Sequence, residues 1–230
     1  MLTQHLSSYD NLAFNSLVDL GNGPHGGGHK DNMPDDILDH VTALESVIVR
    51  HGFQDSVGIS FLHRHDSAGP GEMLLESFEP DSGRLISRIV PGEMLEGASP
   101  SNLAWCQPLN AFVPVEYSDD PLVPHHLASL RDTERGNKFL MEASELLVSS
   151  HVATVLGVCI HARARVAIPE GYFMLEDTDA EGRSTYTPCA VGDDPRSLPL
   201  GEGVQVVATM WAADVARKGL KELRVCRYSA

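Results

Sequence analysis

The chain has 230 residues, 42% of them hydrophobic and 21% charged, the balance of an ordinary globular protein. Its 32 acidic against 17 basic residues give a formal net charge of −15, which repels phosphate backbones and anionic membrane surfaces alike. Nucleic acid and membrane are thereby excluded as expected partners; a small-molecule ligand is expected, and a homo-oligomer is compatible with the composition.

The first ten residues carry neither a basic start nor an apolar core, so no secretory signal is expected. The most apolar stretch, Leu146 to Ile160, is interrupted by Ser149, Ser150, His151 and Thr154 and is too short to span a bilayer. Cys106, Cys159, Cys189 and Cys226 are widely spaced without a Cys-x-x-Cys pair, which predicts reduced thiols and a cytoplasmic location. Cys159, within an apolar run, reads as core packing.

Residues 1–33 read as an irregular N-terminal arm whose Leu12, Phe14, Leu17, Val18 and Leu20 can dock on a core. Its glycine-rich stretch, Gly21 to Lys30, predicts a loop, and His25 and His29 within it read as linker residues rather than metal ligands. A helix follows. Pro34 with Asp35 and Asp36 suits a first turn, and Ile37, Leu38, Val41, Leu44, Val47 and Ile48 fall on one face. Arg50, His51 and Gly52 suit its end.

Val57 to Asp66 reads as a buried strand that ends in His63 and His65. Met73 to Phe78 and Leu85 to Val90, joined at Pro80 to Gly83, form a predicted hairpin. Strand-like pieces around Trp105 and from Phe112 to Tyr117 contain or flank Pro108 and Pro114, which suit edges or bends. Asp119 to Pro124 reads as a linker, and a second helical region runs from about His125 to Ser150 with a break near Gly136. Then come a strand from Val152 to His161, a strand from Tyr172 to Leu175 and an acidic turn from Glu176 to Gly182. A loop around Asp193 to Pro199, a strand from Val204 to Trp211 and a basic tail from Arg217 to Arg227 complete the chain.

The sequence matches itself at a displacement of about one hundred residues. Val57-Gly-Ile-Ser-Phe61 aligns with Leu156-Gly-Val-Cys-Ile160, Arg64 with Arg163, Pro70 with Pro169, and Val47-Ile-Val49 with Leu146-Leu-Val148. The expected architecture is therefore α+β: a mostly antiparallel sheet with two packed helical regions and an internal pseudo-duplication. It divides into the arm 1–33, a first α-β half 34–118 and a second half 119–230 within one compact domain.

Side chains in a strand alternate faces, so His63 and His65 point the same way. They align with Ala162 and Ala164 in the second half, which marks them as a one-sided functional feature. Two imidazoles on one face can ligate a divalent Zn, Fe or Mn ion, completed by a carboxylate; Glu72 on the next strand is the candidate third ligand. Without metal, His63, His65 and Asp66, tuned by Arg64, could perform acid–base catalysis. A strand end capped by surface histidines is the non-functional alternative. Gly58, His63, His65, Glu72 and Gly83 also stand in the order of the first cupin motif, which the stretch resembles over fewer than thirty residues. The gaps to the Glu and the last Gly are longer, and no second motif follows. That resemblance implies, as an alternative fold, a cupin-like β-barrel with added helices. No Gly-x-Ser-x-Gly elbow, Walker loop, dinucleotide fingerprint or His-Glu-x-x-His is present. The expected function is a small-molecule enzyme dependent on one divalent metal, against a non-catalytic ligand-binding or protein-interaction domain.

Overall fold

A computed structural model describes residues 11–20, 36–166, 168, 172–178, 184–189, 204–214 and 219–229. The expected glycine-rich loop with His25 and His29, residues 179–182 of the expected acidic turn and the expected loop around 193–199 lie outside them. A short helix α1 (Asn11–Asn15) and strand β1 (Val18–Asp19) precede helix α2 (Ile37–Arg50) and strands β2 (Val57–Phe61) and β3 (His63–Arg64). Two hairpins follow, β4 (Glu72–Glu79) with β5 (Arg84–Pro91), and β6 (Ser99–Cys106) with β7 (Ala111–Ser118). Helices α3 (Val123–Arg131) and α4 (Glu134–Ser149) lead into β8 (Leu156–Ile160). Two more hairpins close the chain, β9 (Phe173–Thr178) with β10 (Ser184–Cys189), and β11 (Val204–Asp214) with β12 (Gly219–Ser229).

The fold is α+β, with one curled, mostly antiparallel sheet. Its strands run in the order β10-β5-β4-β7-β6-β8-β2-β11-β12-β9, and β9 pairs back onto β10, so the ring of pairings closes into a barrel. Only β4–β7 and β9–β12 are parallel neighbours within it. Alternation divides the apolar residues. Val57, Ile59 and Phe61 join Val41, Leu44 and Ile48 of α2 and Phe139 and Leu147 of α4 in the main core outside the barrel. Ser60, on the opposite face of β2, donates to Asn102 Oδ1 at 2.6 Å. A second cluster joins Phe14 and Leu17 of the arm to Leu62, Ala104, Val113 and Val115. The docking is fixed by Asn15, which exchanges two hydrogen bonds with the Ala68 backbone.

Three local expectations change. The helical break falls at Asp132 and Thr133, where the Thr133 hydroxyl caps α4 by accepting from the Gly136 amide at 2.9 Å. Gly136 lies inside α4, where any Cβ would collide with the Leu130 carbonyl at the end of α3. Pro114 stands in a strand with neighbours on both sides, tolerated because it lies beside the register shift of β6 against β7. The acidic turn expected at Glu176 is strand as far as Thr178, and Glu176 is fully buried.

The pairing scheme maps onto itself when β2, β4, β5, β6 and β7 are exchanged with β8, β9, β10, β11 and β12. Phe53 N to Ile48 O is repeated by Val152 N to Leu147 O, and Val57 N to Phe53 O by Leu156 N to Val152 O. Leu62 N to Val155 O is mirrored by His161 N to Ser56 O. A Cβ at Gly58 would lie 2.5 Å from the Trp211 carbonyl, and one at Gly157 equally 2.5 Å from the Leu103 carbonyl. Both long hairpins carry a bulge at the matching place, at Ser101 between Pro100 and Asn102 and at Thr209 between Ala208 and Met210. Among the described residues no helix is long and apolar enough to cross a membrane.

Candidate metal centre

The His-x-His segment does not continue β2. After the buried Leu62 the chain steps into β3, which pairs in parallel with β1 so that Val18 faces His63 and Asp19 faces Arg64. Arg64 NH2 reaches Asp19 Oδ2 at 2.9 Å and the Arg64 carbonyl accepts from the Leu20 amide at 2.8 Å, so the arm fixes the segment from outside. The strand period then places both imidazoles on one side, ring centroids 5.0 Å apart. They meet β9 and β12, where Glu176 and Cys226 are register partners and therefore share a face.

Among the described residues, His63, His65, Glu176 and Cys226 form a candidate metal-binding group, their ligand atoms all within 4.8 Å of one another. His65 Nε2 lies 2.7 Å from Glu176 Oε1 and 3.8 Å from Cys226 Sγ, and His63 Nε2 lies 3.4 Å from Glu176 Oε2. His63 Nδ1 sits 2.9 Å from the Phe61 carbonyl. A carbonyl only accepts, so the proton of a neutral His63 ring is on Nδ1 and the Nε2 lone pair faces the carboxylate. Glu176 Oε2 is buried without a hydrogen bond, its 3.4 Å approach to His63 being out of alignment. Burial by itself would raise the Glu176 carboxyl, but the positive charges that His63 and His65 carry when protonated, with the hydrogen bond of His65, hold it well below the ordinary range. Burial likewise opposes charge on His65, and Glu176, with help from the Leu20 backbone and Asp19, raises its proton affinity above the usual value.

Glu72 is not part of this group. Its Oε2 accepts from the Gly69 amide at 2.7 Å, because β4 neighbours β5 and β7 in the ring and never β2. Asp66 is exposed, accepts from the Ser67 amide at 2.7 Å, and lines the same cavity as the histidines without joining the group. Of the residues in cupin-like order, the structure thus brings only the two histidines together. Glu176 and Cys226 were missed because they lie on the second half of the chain. A signal for the carboxylate existed: Met73-Leu-Leu-Glu-Ser77 resembles Phe173-Met-Leu-Glu-Asp177, one residue out of register with the first-strand match.

The histidines and Glu176 open on a cavity of about 40 Å³ inside the barrel, also lined by Glu116, Thr209, Asn102 and Arg224. Beside it, Glu76 is fully buried and receives Arg163 Nε at 2.8 Å and Arg224 NH2 at 2.7 Å. Burial pushes its carboxyl up, but the two guanidinium groups together hold it down. Glu116 accepts from Ser87 Oγ at 3.0 Å and is pushed up to about 7 by burial and by the neighbouring Glu76 charge. None of Cys106, Cys159 and Cys226 forms a disulfide. Burial pushes the Cys159 thiol up to about 12, in keeping with core packing. No protein-family model, no curated protein and no solved structure matches the chain, so its chemistry must be read from this site alone.

Proposed function

We propose that the protein is a metal-dependent enzyme acting on a small molecule, with one divalent ion held by His63, His65 and Glu176 and closed from behind by Cys226. One observation carries the reading: the lone pair of His63 Nε2 faces a buried carboxylate oxygen that has no hydrogen bond. Two acceptors face to face in a dry site call for a cation between them. The spacing suits one. Tetrahedral ligation at the usual Zn–N and Zn–O lengths puts donor atoms about 3.4 Å apart; His63 Nε2 lies 3.4 Å from Glu176 Oε2 and His65 Nε2 3.8 Å from Cys226 Sγ, with all four ligand atoms within 4.8 Å of one another. A thiolate with two imidazoles favours Zn or Fe(II) over Mn. Such an ion would supply Lewis acidity or a bound water of lowered pKa. The chain's own contributions are Glu116, which holds a proton near neutrality, and Asp66 at the rim. A thiol kept available for ligation fits a cytoplasmic location.

Internal duplication of the halves 34–118 and 119–230 supports the same reading. Glu76 on β4 corresponds to Glu176 on β9, and Arg163 after β8 corresponds to Arg64 in the segment after β2. In one half the buried carboxylate is neutralised by guanidinium groups of the chain. In the other the equivalent segment offers His63 and His65, two imidazoles that with Glu176 can hold a cation from outside.

The four protein ligands, Glu176 and Cys226 buried and the two histidines half-buried, favour a second reading, a structural metal site, since closed four-ligand shells are typical of those. Metal analysis of protein purified without chelator tests both. About one equivalent of Zn or Fe is expected, lost in His63→Ala/His65→Ala. A protein with no bound metal, or a double variant that retains it, refutes the centre. Chelation that leaves the fold intact favours the catalytic reading, and chelation that unfolds the protein favours the structural one.

A further inference from the structure

Ala208 pairs with Val225 and Met210 with Arg224, so Thr209 is the extra residue, and bulges of this kind re-aim a side chain. Thr209 is 2% exposed, its hydroxyl has no hydrogen-bond partner, and it lines the cavity that His63, His65 and Glu176 also line. A buried hydroxyl without a partner is unfavourable, so something in the cavity is expected to meet it. Asn102 lines the same space; its Oδ1 takes the Ser60 hydroxyl, which leaves its amide NH2 as a donor. Arg224, a donor only, completes the polar wall.

Resting on the metal reading above, we infer that this cavity binds a small carboxylate, the size of formate, between the metal centre and the Thr209 hydroxyl. The size follows from the volume. At roughly 10–15 Å³ for each water-sized occupant, 40 Å³ admits about three non-hydrogen atoms. Larger acids are excluded by the walls, where Leu74, Ile89 and Val115 close the space. The sign follows from the lining, where the Thr209 hydroxyl, the Asn102 amide and the Arg224 guanidinium all offer donors, which suit an acceptor that carries negative charge.

Co(II)-loaded full-length protein, titrated with sodium formate and followed by visible d–d absorption, provides the test. Formate is expected to give a saturable spectral change that sodium chloride at equal ionic strength does not. Thr209→Val should weaken formate at least about tenfold, the loss of one hydrogen bond to a charged group, while Thr209→Ser retains it. Butyrate should not bind. A Co(II) spectrum insensitive to formate, or Thr209→Val binding formate as tightly as the parent, overturns this inference and leaves the metal centre standing. So does butyrate binding as well as formate. Failure to take up Co(II) at all overturns the metal reading itself.

Discussion

Replacing Glu116 by glutamine isolates the buried carboxyl whose proton affinity the fold lifts into the neutral range. Burial is the larger cause and the Glu76 charge the next; Arg224, Arg163 and the Ser87 hydroxyl act against them, and the result is about 7 against an ordinary 4.5. Between those values the folded protein binds more protons than the unfolded chain, so stability falls as pH rises. The contribution is fully present below about pH 4.5 and is lost as pH passes about 7. At 1.36 kcal/mol per pH unit the whole change is about 3 kcal/mol. Glutamine keeps the shape, accepts from Ser87 and cannot ionise, so its variant should lack this slope. Urea unfolding of both proteins at pH 5, 6, 7 and 8 gives the comparison. His65 and Glu176 titrate in both proteins, so their contributions cancel in the difference, and Glu76, held down by Arg163 and Arg224, stays ionised across this range in both. The two should agree within about 1 kcal/mol at pH 5, and Glu116→Gln should be more stable by about 2–3 kcal/mol at pH 8. A difference that does not change with pH would refute the assignment of the raised carboxyl to Glu116.

Two further substitutions probe the frame around the site. In Gly157→Ala the new Cβ would lie 2.5 Å from the Leu103 carbonyl and 2.6 Å from Leu62 Cδ2, so β6 and β8 must part, at a cost of about 1–3 kcal/mol in thermal unfolding. An unchanged Tm would mean that the strands do not cross so closely. Arg163→Met takes from Glu76 one of its two guanidinium partners among the described residues, and should cost about 1.5–3 kcal/mol in thermal unfolding, the loss of one hydrogen bond to a charged group; an unchanged Tm would contradict this.

Periodicity and punctuation alone were enough to place α2, the β4–β5 hairpin and the apolar strands β2 and β8, since each depends on spacing within a dozen residues. They also singled out His63 and His65, because a His-x-His on a strand shares a face whatever surrounds it. The echo of Val57–Phe61 in Leu156–Ile160 was visible for the same reason: both segments answer the same local demand for a buried strand after a helix. The rest was decided by ring closure. Glu72 looked like the third ligand because β4 follows the histidines in the chain, yet the barrel seats β2 between β8 and β11. Glu176 had the composition of an acidic turn, and only its place on β9, in parallel register with β12, buries it against the imidazoles beside Cys226. What the sequence determined about this protein is its elements and one half of its candidate centre. The other half was decided by tertiary structure, because which strands become neighbours in a closed barrel depends on pairings between distant residues, from about 40 to about 150 positions apart, and no local pattern records them.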